Sequence, residues 1–228
     1  MKYIKWLVFC SLVSFILQPM VAQQTDINRY TLFTGFDYMI SPARNLTERG
    51  VEADFGVTAK PWLGLGGDFG ALVSGAGTIN GSETVFAPAI NQIEKMTGEP
   101  ASAINVAFTS KTYTFAAGPQ IYIRRWQKVT FLIRPGLGGI HENANITFPA
   151  GLAPLFTALQ IVPPNPHQTD TEFFVGLGGG FDVNVSRKVG LRFATDWVNT
   201  HLFSNLLVPR QNYVRFSVGP TFRWGHLK

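Results

Sequence analysis

The chain has 228 residues, 46% of them hydrophobic and 14% charged, with a formal net charge of +5. That charge is too small and too dispersed along the sequence for nucleic-acid binding, and a single cysteine, Cys10, leaves no disulfide to form. After the first twenty residues no run reaches about 18 apolar residues, which excludes transmembrane helices.

Lys2 and Lys5 precede an apolar run from Trp6 to Leu17, and Met20-Val21-Ala22 follows. A charged start, a short apolar stretch and a small residue predict a signal peptide over 1–22, with one domain over 23–228. Cys10 lies inside that apolar run, so the exported chain is expected to carry no thiol. Without Lys2 and Lys5 the net charge falls to about +3.

Downstream the dominant pattern has period two. The first strand spans roughly Tyr30 to Met39, with Tyr30, Leu32, Phe36 and Tyr38 on one face and Thr31, Gly35 and Asp37 on the other. The second, Val51 to Ala59, sets Val51, Ala53, Phe55 and Val57 against Glu52, Asp54, Gly56 and Thr58. Lys60-Pro61-Trp62 is a turn, and the third strand opposes Leu63, Leu65, Phe69 and Ala71 to Gly64, Gly66, Asp68 and Gly70. The fourth, Lys111 to Arg124, sets Tyr113, Phe115, Ala117 and Ile121 against Thr112, Thr114, Gln120, Tyr122 and Arg124. Across the Trp126–Lys128 turn the fifth sets Val129, Phe131, Ile133 and Leu137 against Thr130, Arg134, Gly136 and Gly138. The sixth, Glu172 to Val185, sets Phe173, Val175, Leu177 and Phe181 against Gly176, Gly178, Gly180 and Asp182. After Ser186–Lys188 the seventh sets Val189, Leu191, Phe193 and Trp197 against Arg192, Ala194 and Asp196. The eighth, Val214 to Trp224, sets Val214, Phe216, Val218, Phe222 and Trp224 against Arg215, Ser217, Thr221 and Arg223.

An alternating strand meets different surroundings on its two faces. Every second link is tight, and the others are long: about 40–50, 74–110, 141–171 and 199–212. An even strand count with alternating short and long links, behind an export signal, predicts an all-β, eight-stranded antiparallel up-and-down transmembrane barrel. Its short turns are periplasmic and its long loops external, which places it in a bacterial outer membrane. Closure is required because open backbone edges cannot be satisfied in hydrocarbon. Pro119, Pro135 and Pro220 fall inside strands, each beside a glycine, where bulges or local ends of pairing are expected.

The inward parity gathers Asp37, Glu52, Asp54, Asp68, Asp182 and Asp196 with Arg124, Arg134, Arg192, Arg215 and Arg223. Eight strands enclose a space that side chains can fill, so these charges are expected to pair and close the lumen, with inward glycines making room. A narrow channel for small or apolar solutes is the alternative. Gly178-Gly179-Gly180 lies within a strand pattern with no helix start after it, which argues against a phosphate loop. Tyr30, Trp62, Trp126 and Trp224 mark one interface, and Tyr38, Tyr113 and Trp197 the other. Strict parity would turn Trp62 and Trp126 inward, but both stand in turns.

His141, His167, His201 and His226 show no metal-ligand spacing, and no cofactor is expected. A lipid-modifying hydrolase would need a set such as His201 with Ser204, or His141 with Glu142, at the external level. His-x-x-Ser puts its two side chains on opposite faces of a strand, so the chain is read as non-enzymatic. Pro88 to Gly98 reads as a short loop helix. The loop after the fifth strand is apolar at Phe148, Leu152, Leu155, Phe156 and Leu159, more apolar surface than a solvated loop needs, so it is expected to pack on the other loops as a lid, lie against lipid or serve as a contact loop for a partner.

With these features the chain resembles the small outer-membrane β-barrel superfamily, which includes the OmpA transmembrane domain and the OmpX- and OmpW-type barrels. The eighth strand is similar to the C-terminal aromatic signal read by the barrel-assembly machinery, with Phe216, Phe222 and Trp224 as its aromatic residues. It departs from that pattern by continuing through Gly225 to Lys228. The resemblance implies a structural, adhesive or narrow-channel role in the envelope. It also implies outer-membrane lipid and lipopolysaccharide as surroundings, with a surface partner met through the loops.

Overall fold

The computed structural model describes residues 27–42, 46–75, 77–80, 91, 94–95, 98, 105–147, 167–202 and 211–227. Eight long antiparallel strands close into a barrel: β1 (Asn28–Ser41), β2 (Leu46–Lys60), β3 (Leu63–Ser74), β5 (Asn105–Ile123), β6 (Val129–Thr147), β7 (His167–Asn184), β8 (Val189–Thr200) and β9 (Gln211–His226). A short β4 (Gly77–Asn80) prolongs the β3 row along β5. Each long strand pairs with its neighbours in sequence, and β1–β9 and β3–β5 complete the ring.

The stagger of the ring sets its width. Following the registers from Tyr30 leads through Val57 and Leu65 to Pro119, across the unpaired gap to Pro135, and on through Leu177, Trp197 and Val214 back to Ile40. A ten-residue offset over eight strands, at ordinary strand spacing and rise, gives a tilt of about 41° and a backbone radius of about 8 Å. A ring that narrow is filled by its own side chains.

The outward face is apolar over one band. On β5 it runs from Ile123 up to Tyr113, through Phe115 at 62% exposed. Ten residues at this tilt span about 25 Å, the height of a membrane-facing belt. Above the belt the same outward parity turns polar, and cross-strand pairs replace apolar side chains. His141 Nδ1 lies 2.6 Å from Thr171 Oγ1, Thr169 Oγ1 donates to Asn143 Oδ1 at 2.8 Å, and His167 Nδ1 lies 2.9 Å from Asn145 Oδ1. From the Tyr113–His141–Thr171 row β5 therefore continues about 20 Å beyond the lipid belt, β6 about 15 Å and β7 about 10 Å.

This corrects the strand ends expected from sequence. His141 and Glu142 are in β6, not a loop, and β7 starts at His167, not Glu172. Likewise β2 starts at Leu46 and β5 at Asn105. Strands end in the sequence where outward apolar residues end, whereas backbone pairing continues into water. The apolar loop of Phe148, Leu152, Leu155, Phe156 and Leu159 lies outside the described residues, as do residues 1–26. Of the loop helix, Asn91, Glu94 and Lys95 are helical. Gly98, at φ +73°, closes it by donating its N–H to the Glu94 carbonyl at 2.8 Å.

The strand prolines are accommodated without an inserted residue. In β5–β6 the register is the same at Ala117↔Leu137 and Ile121↔Ile133, and the positions between are unpaired. Pro119 there faces Pro135, so two missing N–H groups share one gap. The β1–β9 ladder likewise skips from Phe33↔Thr221 to Phe36↔Val218, beside Pro220. Gly118 and Gly219 permit the close approach: a Cβ at either would collide with the carbonyl of Pro135 or Thr34. The gaps are interruptions of pairing, and the one register shift among the described residues falls elsewhere, between Thr58 and Lys60.

Candidate functional site

Inward parity on seven strands delivers charged side chains to one narrow axis. Arg134 of β6 occupies the middle. Its Nε donates to Asp196 Oδ1 at 2.8 Å, Nη1 to Asp54 Oδ2 at 2.8 Å, and Nη2 to Glu52 Oε1 at 3.0 Å. Arg215 of β9 lies on one side, donating to Thr114 Oγ1 and Asp68 Oδ1, each at 3.1 Å, and to Asp196 Oδ2 at 3.2 Å. Glu52 and Asp37 flank Arg215 at 3.5 and 3.8 Å. Arg192 of β8 lies on the other side and grips Asp182 through Nε at 2.7 Å and Nη2 at 3.3 Å. Its Nη1 reaches Asp54 Oδ2 at 3.3 Å, and its guanidinium sits 5.3 Å from the centre of the Phe33 ring. Arg223 continues the chain to Asp182 Oδ2 and Asn184 Oδ1, both at 2.7 Å.

One connected ladder results: Asp68, Arg215, Asp196, Arg134, Asp54, Arg192, Asp182, Arg223. Its carboxylates bridge successive guanidinium groups, which is how like charges tolerate a shared low-dielectric space. Glycines make the room. A Cβ at Gly178 would collide with Asp196, one at Gly66 with Gln120, and one at Gly70 would press on Thr114 and Arg215. A cavity of about 30 Å³ is left among Asp54, Gln120, Arg134, Asp196 and Arg215. That is room for about one water.

Ten of the eleven charged residues named for the lumen meet in this network. The eleventh, Arg124, stands apart at the periplasmic end, where Nε donates to the Pro61 carbonyl at 2.9 Å. Glu48, absent from the expected set, is also inward and accepts from Thr112 Oγ1 at 2.7 Å. It belongs to the extension of β2 beyond Val51.

Towards the external end the lumen changes character. Met39, Leu46, Leu72, Ile140, Phe174, Val198, Leu202 and Tyr213 form a buried apolar cluster inside the ring. It is a plug above the ion ladder, and the sequence reading missed it. The signal was available: Met39, Phe174 and Val198 have the inward parity of Asp37, Gly176 and Asp196 on their strands. An apolar residue on the polar parity looks like noise in a strand read alone.

At the hydrolase candidates, His141 points outward while Glu142 is wholly buried, so adjacent positions on one strand separate them. Ser204 lies outside the described residues. Among those residues no group of His, Cys, Asp and Glu could hold a metal. Trp62 and Trp126 are exposed, at 53% and 46%, and Trp126 packs edge-on against outward Phe131, centroids 5.6 Å apart. The turns have rotated both out of the lumen parity. Of the aromatic residues of the last strand, Phe216, Phe222 and Trp224 all face outward, and Trp224 stacks on Tyr30 at 5.9 Å.

No family model matches the sequence, and no curated protein matches it. Solved structures do. Neisserial surface protein A aligns with a TM-score of 0.51 at 10% identity, over 86% of this chain and 96% of that one. The attachment invasion locus protein Ail of Yersinia pestis gives 0.48 at 13% identity, over 86% and 96%. A major outer membrane protein of Thermus thermophilus gives 0.48 at 10%, over 85% and 99%. At such identities the likeness is one of fold, and it rests on the first of the three.

Proposed function

We propose, from the premise that this chain has the fold of the small outer-membrane β-barrels, that it is a closed scaffold that presents its external loops for surface interaction. The observation that carries the reading is the filled lumen: a continuous ion ladder below and an apolar plug above. A ring of about 8 Å backbone radius, so occupied, has no continuous water path. Binding then belongs to the loops, since rigid elements position what loops present. The β5–β6–β7 wall supports this because its paired strands rise beyond the lipid belt. The segment with Phe148, Leu152, Leu155, Phe156 and Leu159 joins β6 to β7 at the external end of that wall and supplies apolar anchors for a partner.

Planar-bilayer recording on the refolded protein tests closure, and no steady conductance comparable to that of a general porin is expected. Deletion of Phe148 to Val162 tests the loop. The barrel should keep its heat-modifiable gel migration while cell-surface binding is lost. A barrel that no longer assembles would make that loop structural and refute its role as the contact element.

A further inference from the structure

One stretch of the lipid-facing wall is hollow. A groove of about 520 Å³ opens there across the outward faces of β1, β9, β8 and β7. It exists because Gly179 and Thr195, register partners, are small, whereas the outward pairs on either side, Leu177↔Trp197 and Phe181↔Phe193, are bulky. Phe36, Tyr38 and Phe216 wall the groove on the β1 side. The rings of Phe181 and Phe193, stacked with centroids 5.3 Å apart, bound it towards the periplasm.

The stagger of the ring fixes how this groove lies in the membrane. At a tilt of about 41°, a line of register partners climbs towards the external side by about 3 Å per strand from β1 to β2, and falls as much from β1 to β9. One outward line runs from Gly179 through Thr195, Phe216 and Tyr38 to Arg49, and on past Val73 to Lys111. Gly179 therefore lies about 9 Å deeper than Tyr38, Arg49 about 3 Å above it, and Lys111 about 9 Å above it. Trp197 and Tyr113 come within about 5 Å of the Tyr38 level by the same construction, so that level is the external lipid boundary. The groove is in hydrocarbon, and both cations stand at headgroup height.

Arg49 and Lys111 are exposed on this outer face. The Arg49 guanidinium lies 6.0 Å from the centre of the Tyr38 ring, which places the cation over a wall of the groove, at its mouth. Every Asp and Glu of the described strands has the inward parity, so no strand carboxylate shares that face. We infer that the groove binds one phosphate-bearing lipid of the outer leaflet, its phosphate at Arg49 and an acyl chain along Tyr38, Phe216 and Thr195. A guanidinium binds phosphate oxygens in pairs, and the apolar groove directly below takes the chain. Lys111, two strands from Arg49, adds to the field that draws the anion in. A second copy of the chain fits the groove less well. The strands of its belt bring no outward carboxylate, so docking would desolvate Arg49 without an anion.

Native mass spectrometry of the protein refolded in maltoside micelles, titrated with dipalmitoyl phosphatidic acid or dipalmitoyl phosphatidylcholine, tests the site. One phosphatidic acid should be retained at a concentration about fivefold or more below that needed for phosphatidylcholine. Arg49→Gln should bring the two lipids within about twofold of each other, while Lys111→Gln keeps most of the preference. Thr195→Trp fills the groove from a lipid-facing position, and it should weaken both lipids by about fivefold or more. Heat-modifiable gel migration checks that each variant folds. If Arg49→Gln does not fold, Thr195→Trp and the preference of the unaltered protein decide. Equal retention of the two lipids by the unaltered protein would overturn the proposal, and so would adducts that Thr195→Trp leaves undiminished. Equal losses of preference in Arg49→Gln and Lys111→Gln would mean diffuse attraction and overturn it as well. A dimer that Thr195→Trp dissociates would overturn it by assigning the groove to a second copy.

Discussion

Replacing Arg134 with Met removes the middle of the ion ladder while keeping much of its apolar volume. Arg134 donates to three carboxylates, Glu52, Asp54 and Asp196, and is itself only 7% exposed. The ladder with its flanks holds six carboxylates, Asp37, Glu52, Asp54, Asp68, Asp182 and Asp196, against the four guanidinium groups of Arg134, Arg192, Arg215 and Arg223. Without Arg134 three arginines face the same six. Asp196 keeps Arg215, and Asp54 keeps only a 3.3 Å contact with Arg192. Removing one partner of a buried ionic set costs about 3–5 kcal/mol, because the remaining charges stay buried. The upper half of that range is expected here, since three carboxylates lose a bond together. Urea unfolding of the refolded barrel in lipid vesicles measures it, read as the change in midpoint at constant slope. Adding Asp196→Asn should recover part of the loss by removing one stranded charge, a coupling that a double-mutant cycle isolates. A change below about 1 kcal/mol for Arg134→Met would refute the reasoning, since the lumen would then be solvated enough to screen its charges.

Gly138→Ala should cost about 1–3 kcal/mol in the same assay, because the new methyl would meet the Phe115 carbonyl and the Phe174 ring. Gly67→Ala should change stability by less than about 0.5 kcal/mol, since its closest contact would be the Ala116 carbonyl at 3.3 Å. Leu72→Ala, in the plug, should destabilise by about 2–4 kcal/mol and raise the frequency of brief conductance events in planar bilayers. Phe222→Ala or Trp224→Ala should reduce outer-membrane yield in cells more than it lowers the urea midpoint of protein refolded in vitro. Quantitative blotting of membrane fractions compares the two effects. His201→Ala and Ser204→Ala should each leave the lipid composition of the outer leaflet unchanged, as mass spectrometry of extracted lipid would report.

The barrel itself was legible in the sequence, because lipid outside and a polar lumen inside impose a strict period of two. The alternation of Val51, Ala53, Phe55 and Val57 with Glu52, Asp54, Gly56 and Thr58 needs no knowledge of neighbours to be read. Link lengths then gave the topology, since in an up-and-down barrel all tight turns must come to the same end. Strand ends were not legible above the membrane. His141, Asn143 and Asn145 face water on the outside of β6, where lipid no longer selects apolar residues, so the marker vanishes although hydrogen bonding continues. Parity could name Arg134 and Asp196 as facing inward, but not as partners. Their meeting depends on the ten-residue stagger, which sums the registers of all eight strand pairs and appears in no single one. The plug of Met39, Phe174 and Val198 and the solitary Arg124 have the same origin. Each residue's face is a local property of its strand, whereas what it meets across the lumen is set by closure of the whole ring.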